Sequence, residues 1–304
     1  MKESHEFLSI GVLCKFFNIS RQAYYQYEWT LTEECFQGVL LLDEIRDIRL
    51  RHPRMGARKL QELLSPFMRE HGIKPGRDGL FDFLSMHGLP VRRRKRSART
   101  TRSFHRLKKY PGLIVDFTPS NPDELRVSDI TCWKIEETTV YISFITDAFS
   151  RKIVGYHLSE TLHAEETSKA LIMAVSDAKK YRKTLDGLIH HSDRGVQYCS
   201  SLYVNRLKKN RINISMTQSG DPLENAIAER VNGIIKDKYV LNYQCDNIND
   251  ARELSGKAVA LYNKERPHGS IGNFMPEFVH YQYEEISKEK IKRLWKNYYT
   301  KQGA

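Results

Sequence analysis

The sequence predicts an α/β domain, a mixed five-stranded sheet with flanking helices, preceded by all-α modules. Three observations carry this. Up to about residue 112 apolar residues recur at helical spacing, and beyond it β-rich runs begin. Three such runs follow one another through short polar turns, after which helix and strand alternate. The net charge of +12 lies almost wholly in the first third: residues 1–110 hold 22 Lys and Arg against 12 Asp and Glu, residues 111–304 hold 27 against 25.

Residues 7–27, FLSIGVLCKFFNISRQAYYQY, read as two short helices around a turn at residues 17–20, with Ser20 as N-cap of the second. This is the size of a helix-turn-helix, whose second helix enters a major groove. Arg21, Tyr24 and Tyr25 are then candidate DNA contacts, although any small helical hairpin reads the same way. Over residues 38–88, LLLDEIRDIRLRH is amphipathic and broken by Pro53, ARKLQELLSPFMREHG makes a second helix and GRDGLFDFLSMHG a third. These form another helix-turn-helix or winged-helix candidate. RRRKRSARTTRSFHRLKK (92–109) has ten basic residues and no acidic one, so a polyanion is its natural counterion. Arg92, Arg93, Arg94, Lys95 and Arg96 are candidate phosphate contacts; the plain alternative is a solvated linker. The expected organisation is a helix-turn-helix over 1–36, a second helical DNA-binding module over 37–90, a basic linker over 91–111, the α/β core over 112–285 and a helical tail over 286–304.

Within the core, LRVSDITCWKI (125–135), TTVYISFITD (138–147) and RKIVGYHLSE (151–160) read as an antiparallel meander, and AEETSKALIMAVSDAKKY (164–181) as a helix. A strand inside GLIHHSDRGVQYCS (187–200), a helix near 200–210 and a strand at 212–218 follow. A helix from about Pro222 to Tyr239 and another over 249–264 close the domain. That order is ribonuclease-H-like, a fold that brings carboxylates from its first strand, fourth strand and a later helix to one point.

Asp129 lies mid-strand with Val127, Thr131 and Trp133 on its face by period two. Asp193 ends the fourth strand, and Glu229 follows after 35 intervening residues. Asn225, Glu229 and Asn232 share one helix face, with Lys236 about two turns beyond Glu229; Asn225 is a candidate DNA contact. Three converging carboxylates repel one another unless a cation sits among them, and hard oxygen ligands suit Mg²⁺ or Mn²⁺ rather than zinc. Competing carboxylates have plainer explanations. Asp116 precedes a Pro-rich segment that cannot continue as a central strand, Asp147 starts a tight turn, and Glu224 favours the helix dipole. His190 and His191 read either as supports for the site or as buried histidines with backbone partners. Arg266 and His268 in NKERPHGS reach a phosphate or cap the preceding helix.

Composition bounds the rest. With 40% hydrophobic residues the chain buries a sizeable core, and no run of 18 apolar residues or signal-peptide pattern occurs. Five scattered cysteines without a CxxC point to a reducing compartment, the cytosol by default, and away from disulfide scaffolds or zinc fingers.

DIT (129–131), FITDAFSRKIVGY (144–156), HSDRGVQYCS (191–200), SMTQSGDPLENAIAER (215–230) and LYNKERPHGSIGNFMPEFV (261–279) together resemble the second-frame catalytic transposases of IS-three-type bacterial insertion sequences, within the retroviral-integrase superfamily. LCKFFNISRQAYYQY and HPRMGARKLQELL stand in the expected places, so the resemblance spans nearly the whole chain. It implies an Asp-Asp-Glu triad at Asp129, Asp193 and Glu229, with Lys236 contacting the DNA end. Two departures stand out: Arg126 where the family usually has Trp, and Arg230 where it usually has Ser.

The expected function is metal-dependent cleavage of transposon ends and strand transfer by 3′-hydroxyl attack, with two Mg²⁺ or Mn²⁺ ions per site. Expected partners are double-stranded DNA (terminal inverted repeats and target) and at least one further copy of the chain, because two ends are processed together. An upstream-frame protein or fusion is a further implied partner, and a membrane is not. Two rivals remain: a catalytically inactive, transposase-derived DNA-binding regulator, and another nuclease of the same fold, such as a ribonuclease H or a junction resolvase.

Overall fold

The computed structural model describes residues 9–74, 76–91, 105–115, 117–136, 138–218 and 225–282. Arg92, Arg93, Arg94, Lys95, Arg96, Asp116, Glu224, the helix start expected at Pro222 and the tail expected over 286–304 lie outside these residues.

Helix α1 (Ile10–Phe16) ends in a turn in which Asn18 takes φ 54°, a left-handed conformation that Asn tolerates. Ser20 then caps α2 by accepting a hydrogen bond from Ala23 N at 3.0 Å. Helix α2 runs without a break over Arg21–Arg51. The boundary expected at residues 36 and 37 therefore falls inside one helix. The physical reason is local: between Arg21 and Arg51 there is no proline, and Gly38 alone costs a helix only about 1 kcal/mol. The second half of α2 packs on α3 (Ala57–Glu70) and α4 (Arg77–Met86) through Leu41, Ile45, Ile48, Leu60, Leu64, Leu80 and Leu84. Pro53 ends α2 because it cannot follow a helical residue without a clash.

The core sheet has the order β3-β2-β1-β4-β5, with β1 (Leu125–Ile135), β2 (Thr138–Asp147), β3 (Ile153–Ser159), β4 (Ile189–Ser192) and β5 (Asn213–Met216). β1, β2 and β3 form the antiparallel meander, while β4 runs parallel to β1 and β5 parallel to β4. Both faces are covered. One packs on α5 (Ala164–Ala178) and, through the short α6 (Val196–Cys199), on α7 (Ser201–Lys209). The other packs Trp133, Val140, Ile142 and Phe144 against α8 (Ala226–Lys238) and α9 (Ile248–Lys264), and α10 (Pro276–Tyr281) closes the end of the sheet. This is the mixed five-stranded sheet with flanking helices that the sequence predicts. No helix among the described residues is long and apolar enough to cross a membrane.

Arg126, the first departure from the family pattern, is a fold residue. Its side chain is buried, pairs with buried Asp123 and donates from Nη1 to Ala174 O at 2.8 Å. Asp147, two strands' ends away in sequence, accepts from Asp123 N and from the Ser150 amide and hydroxyl, all at 2.7 Å. Burial pushes the Asp147 carboxyl up, but His280 and Ser150 more than offset this and hold it down at about 2. The turn role expected for Asp147 is thus joined to a buried polar cluster that anchors α10.

Gly155 sets how closely α5 approaches β3. A Cβ there would stand 2.2 Å from Ala170 O and 2.9 Å from Ala174 Cβ. Gly155→Ala is expected to lower stability by about 1–3 kcal/mol, since helix backbone must retreat from the sheet. Denaturant titration of the two proteins measures the difference.

Candidate active site

Asp129 interrupts an otherwise apolar stripe on the face of β1 that α8 covers, where Val127 and Trp133 are both buried. α8 answers it with polar groups. Asn232, itself buried, donates from Nδ2 to Asp129 Oδ2 at 2.9 Å, and Asp129 Oδ1 accepts from Ile130 N at 2.8 Å. One residue back, Asn225 Nδ2 holds Ser128 O at 3.0 Å. Asn225 is thus buried and engaged with the β1 backbone, an arrangement that serves positioning rather than the DNA contact expected for it. Residues 225, 228, 232 and 235 form the inward stripe of α8, and Glu229 stands at its solvent side, exposed.

Asp193 comes from the adjoining strand. In the parallel register of β1 and β4 the last pair is Ser128 with Ser192, so Asp129 and Asp193 are the next residues along each strand. Gly195 N donates to Asp193 Oδ1 at 2.9 Å, which turns the chain into α6 and fixes the carboxylate. On the opposite side of β1, Ser128 Oγ donates to Phe144 O at 3.1 Å and lies 2.9 Å from the Tyr198 hydroxyl, so α6 is tied to the strand that carries Asp129.

The charges of Asp193 and Glu229 both act on Asp129. Burial pushes the Asp129 carboxyl up to about 7, aided by the charges of Asp193 and Glu229 and opposed by the bonds from Ile130 and Asn232. Burial also raises Asp193, against the Gly195 amide and the neighbouring His105. Among the described residues no group of three or more His, Cys, Asp or Glu is placed to hold a metal ion. The donor set nevertheless fits a hard cation. It is all oxygen, it is anionic, and the buried Oδ1 atoms of Asn225 and Asn232 beside it have no hydrogen-bond partner.

The other expected residues fall in different places. Lys236 is half-buried two turns along α8 from Glu229. His190 and His191 are buried, but their partners are side chains: Tyr203 Oη at 3.0 Å and Ser215 Oγ at 2.9 Å. Burial holds His190 down at about 3, so it stays a neutral core residue. Arg21 and Tyr25 are exposed at the start of α2, where Tyr24 Oη donates to Glu28. Arg266 and His268 are 4% and 6% exposed. Sequence reasoning missed His105, whose Nε2 meets Arg194 O at 2.7 Å and whose ring lowers the neighbouring Asp193. It also missed Tyr198 beneath β1. Only their place beside matched phrases signals them in the sequence.

Two family models, each described as an integrase core domain, match residues 119–222 and 210–276. The chain is 30% identical over 280 residues to an insertion element IS600 uncharacterized 31 kDa protein of Shigella sonnei, covering 90% of this chain and 100% of that one. It is 30% identical over 225 residues to the transposase for insertion sequence element IS629 of Shigella sonnei, covering 74% and 73%. Among solved structures, the HTLV-2 integrase catalytic core domain in complex with magnesium aligns over 53% of this chain and 98% of that one, at 20% identity and a TM-score of 0.42.

A pH dependence follows from Asp129. An acid whose pKa is raised on folding costs stability as the pH passes its unfolded value, so the loss sets in above about 4 and is complete above about 7. In EDTA, wild type is expected to lose on the order of a few kcal/mol relative to Asp129→Asn between those pH values. Thermal melts across that range check it; parallel curves for the two proteins would remove the repulsive cluster from the account.

Proposed function

We propose, starting from the fact that this chain belongs to the insertion-sequence transposases of the IS-three type, that Asp129, Asp193 and Glu229 carry its chemistry. The protein is a DNA transposase, and the reading as an inactive DNA-binding regulator is not favoured. The observation that supports the site assignment is the register that sets Asp129 and Asp193 side by side at adjoining strands, where burial first and then the charges of Asp193 and Glu229 push the Asp129 carboxyl up.

In this reading Asp129, Asp193 and Glu229 would together hold the divalent metal. Two divalent ions held there, Mg²⁺ or Mn²⁺, would lower the pKa of a water or a 3′-hydroxyl and take up the charge on the leaving oxygen. The protein does the positioning. Asn232 fixes the rotamer of Asp129, Gly195 N fixes Asp193, and the pair Ser128–Tyr198 keeps β1 and α6 in step. Glu229 would complete the site from the exposed edge of α8. In-line displacement at a phosphodiester then proceeds twice at one site: a water nicks the transposon end, and the freed 3′-hydroxyl attacks target DNA. Lys236, two turns along the same helix, is placed to hold a phosphate of the terminal nucleotides. Arg21, Tyr24 and Tyr25 are candidates for reading the inverted repeat, with the arginines of 92–96 following the backbone between the modules. Assembly of at least two copies on the paired ends, and cooperation with an upstream-frame product, complete the proposal.

On labelled DNA carrying the element's own terminus, with Mg²⁺, Glu229→Gln is expected to lose nicking and strand transfer by at least about a hundredfold while still binding the end. Asn232→Ala should lose roughly 10–100-fold, in keeping with the loss of a partner that orients a metal ligand. Equal activity of Glu229→Gln and wild type would return Glu229 to the status of an ordinary helix residue.

A further inference from the structure

The seam between the helical module and the core holds a concentration of positive charge that the triad does not use. Arg51 pairs with Glu265, His52 Nδ1 meets Tyr239 Oη at 2.8 Å, and Asn273 Nδ2 reaches Glu62 Oε1 on α3 at 2.9 Å, so the two parts are in contact there. Lys59 in the first turn of α3, Arg230 and Lys238 on α8, and Arg266 after α9 lie close enough for their charges to act on one another, and those of Lys59, Arg230 and Arg266 act on His268. Burial, followed by the charges of Arg266, Arg230 and Lys238, pushes the Lys59 ammonium down to about 7. Burial and the charges of Lys59, Arg151, Arg266 and Arg230 likewise push His268 well below the usual imidazole range.

Geometry makes this more than a crowded surface. Arg266 is more than nine-tenths buried, lies with its Cζ 5.8 Å from the centre of the Tyr239 ring, and leaves Nε and Nη1 without a hydrogen-bond partner. His268 is equally buried. Its Nδ1 lies 3.0 Å from Ser270 Oγ, and its Nε2 has no partner. Two of the nearby carboxylates are already engaged, Glu265 by Arg51 and Glu62 by Asn273, while Asp237 lies beside Lys238. The positive end of α3 points the same way in charge, for its first turn holds no acid and no side-chain cap. Buried guanidinium N–H donors left unbonded among like charges are costly unless an anion completes them. Guanidinium and imidazole N–H groups around an ammonium are the donors that a tetrahedral phosphate accepts.

We propose that Lys59, Arg230, Lys238, Arg266 and His268 seat one phosphodiester of the bound DNA backbone, clamped between the helical module and the catalytic core. With Ser270 donating to His268 Nδ1, His268 Nε2–H joins the free guanidinium donors of Arg266 on the phosphate oxygens. Arg230, the residue beside Glu229 that departs from the family pattern, connects this seat to the triad. Bound DNA therefore fixes the two parts of the chain relative to each other while it is held for cutting. The inference rests on the reading of the chain as a DNA-acting enzyme.

The test uses full-length wild type, Arg266→Gln and Lys59→Gln. Affinity for a mixed-sequence duplex, measured against KCl concentration, should weaken roughly tenfold in each variant, with the slope of log K against log salt smaller by about one. Inorganic phosphate, compared with chloride at equal ionic strength, should raise the Tm of wild type and not that of Arg266→Gln. In chloride alone Arg266→Gln should melt no lower than wild type, because a buried like charge has gone. A merely structural arginine would give a lower Tm with an unchanged salt slope, and that result overturns the proposal. So does phosphate stabilisation without a change in slope, which makes the seat one for a free anion rather than DNA. Lys59 is only partly buried, so Lys59→Gln decides the slope if Arg266→Gln does not fold. Unchanged slopes in a wild type that cuts DNA sink this inference alone, whereas a wild type with no salt-dependent DNA binding sinks the transposase reading beneath it.

Discussion

The parallel pairing of β1 with β4 is the constraint on which the site depends. It sets Ser128 opposite Ser192, and so brings Asp129 and Asp193 to the same edge as the next residue of each strand. Side chains alternate along a strand, so a slip of one residue would send one carboxylate to the opposite face of the sheet. The register is held by the chain on both sides. Ile189 N bonds to Glu124 O, Thr217 N to Ser192 O, and Arg126, Val127 and Ser128 are all buried. The central position of β1 in β3-β2-β1-β4-β5 lets helices cover both faces and leaves only the strand ends for chemistry.

That scaffold pays for an unfavourable cluster. Asp129 is more easily protonated than an ordinary carboxylate because it is buried near two like charges. Stability comes from elsewhere, from the apolar layers on either side of the sheet, and the local cost is what makes the site attract a cation. The seam behind α8 carries the opposite imbalance, with cations short of counterions. Glu229 and Arg230, adjacent on α8, mark the boundary between the two. DNA brings phosphates and divalent ions together and so answers both imbalances at once.

Much of this was legible in the sequence. β1 and β2 are readable because β-branched and aromatic residues run between polar turns, and Asp129 because it breaks a hydrophobic face. The spacing of Asn225, Glu229 and Asn232 shows that they share a side of α8, but not that Asn225 and Asn232 turn inward to Ser128 and Asp129. The unbroken α2 escaped because a turn of module size suggested a boundary where the backbone had no reason to stop. His105 at Asp193, and Lys59 near Arg266, are contacts between segments distant in sequence, and no local periodicity records them. Arg126 was visible as a departure from the family pattern, whereas its buried partner Asp123 was visible only in three dimensions.

The most direct test of the central claim is to let the metal report its own ligands. Fe²⁺ with ascorbate and peroxide, in place of Mg²⁺, cleaves polypeptide next to where the ion is held, and the cuts are mapped by mass spectrometry. The account predicts cuts clustered near residues 129, 193 and 229, all suppressed by Mg²⁺ and by Asp129→Asn. Cuts at only one of the three, or at sites that persist in Asp129→Asn, would contradict a shared metal site formed by β1, the end of β4 and α8.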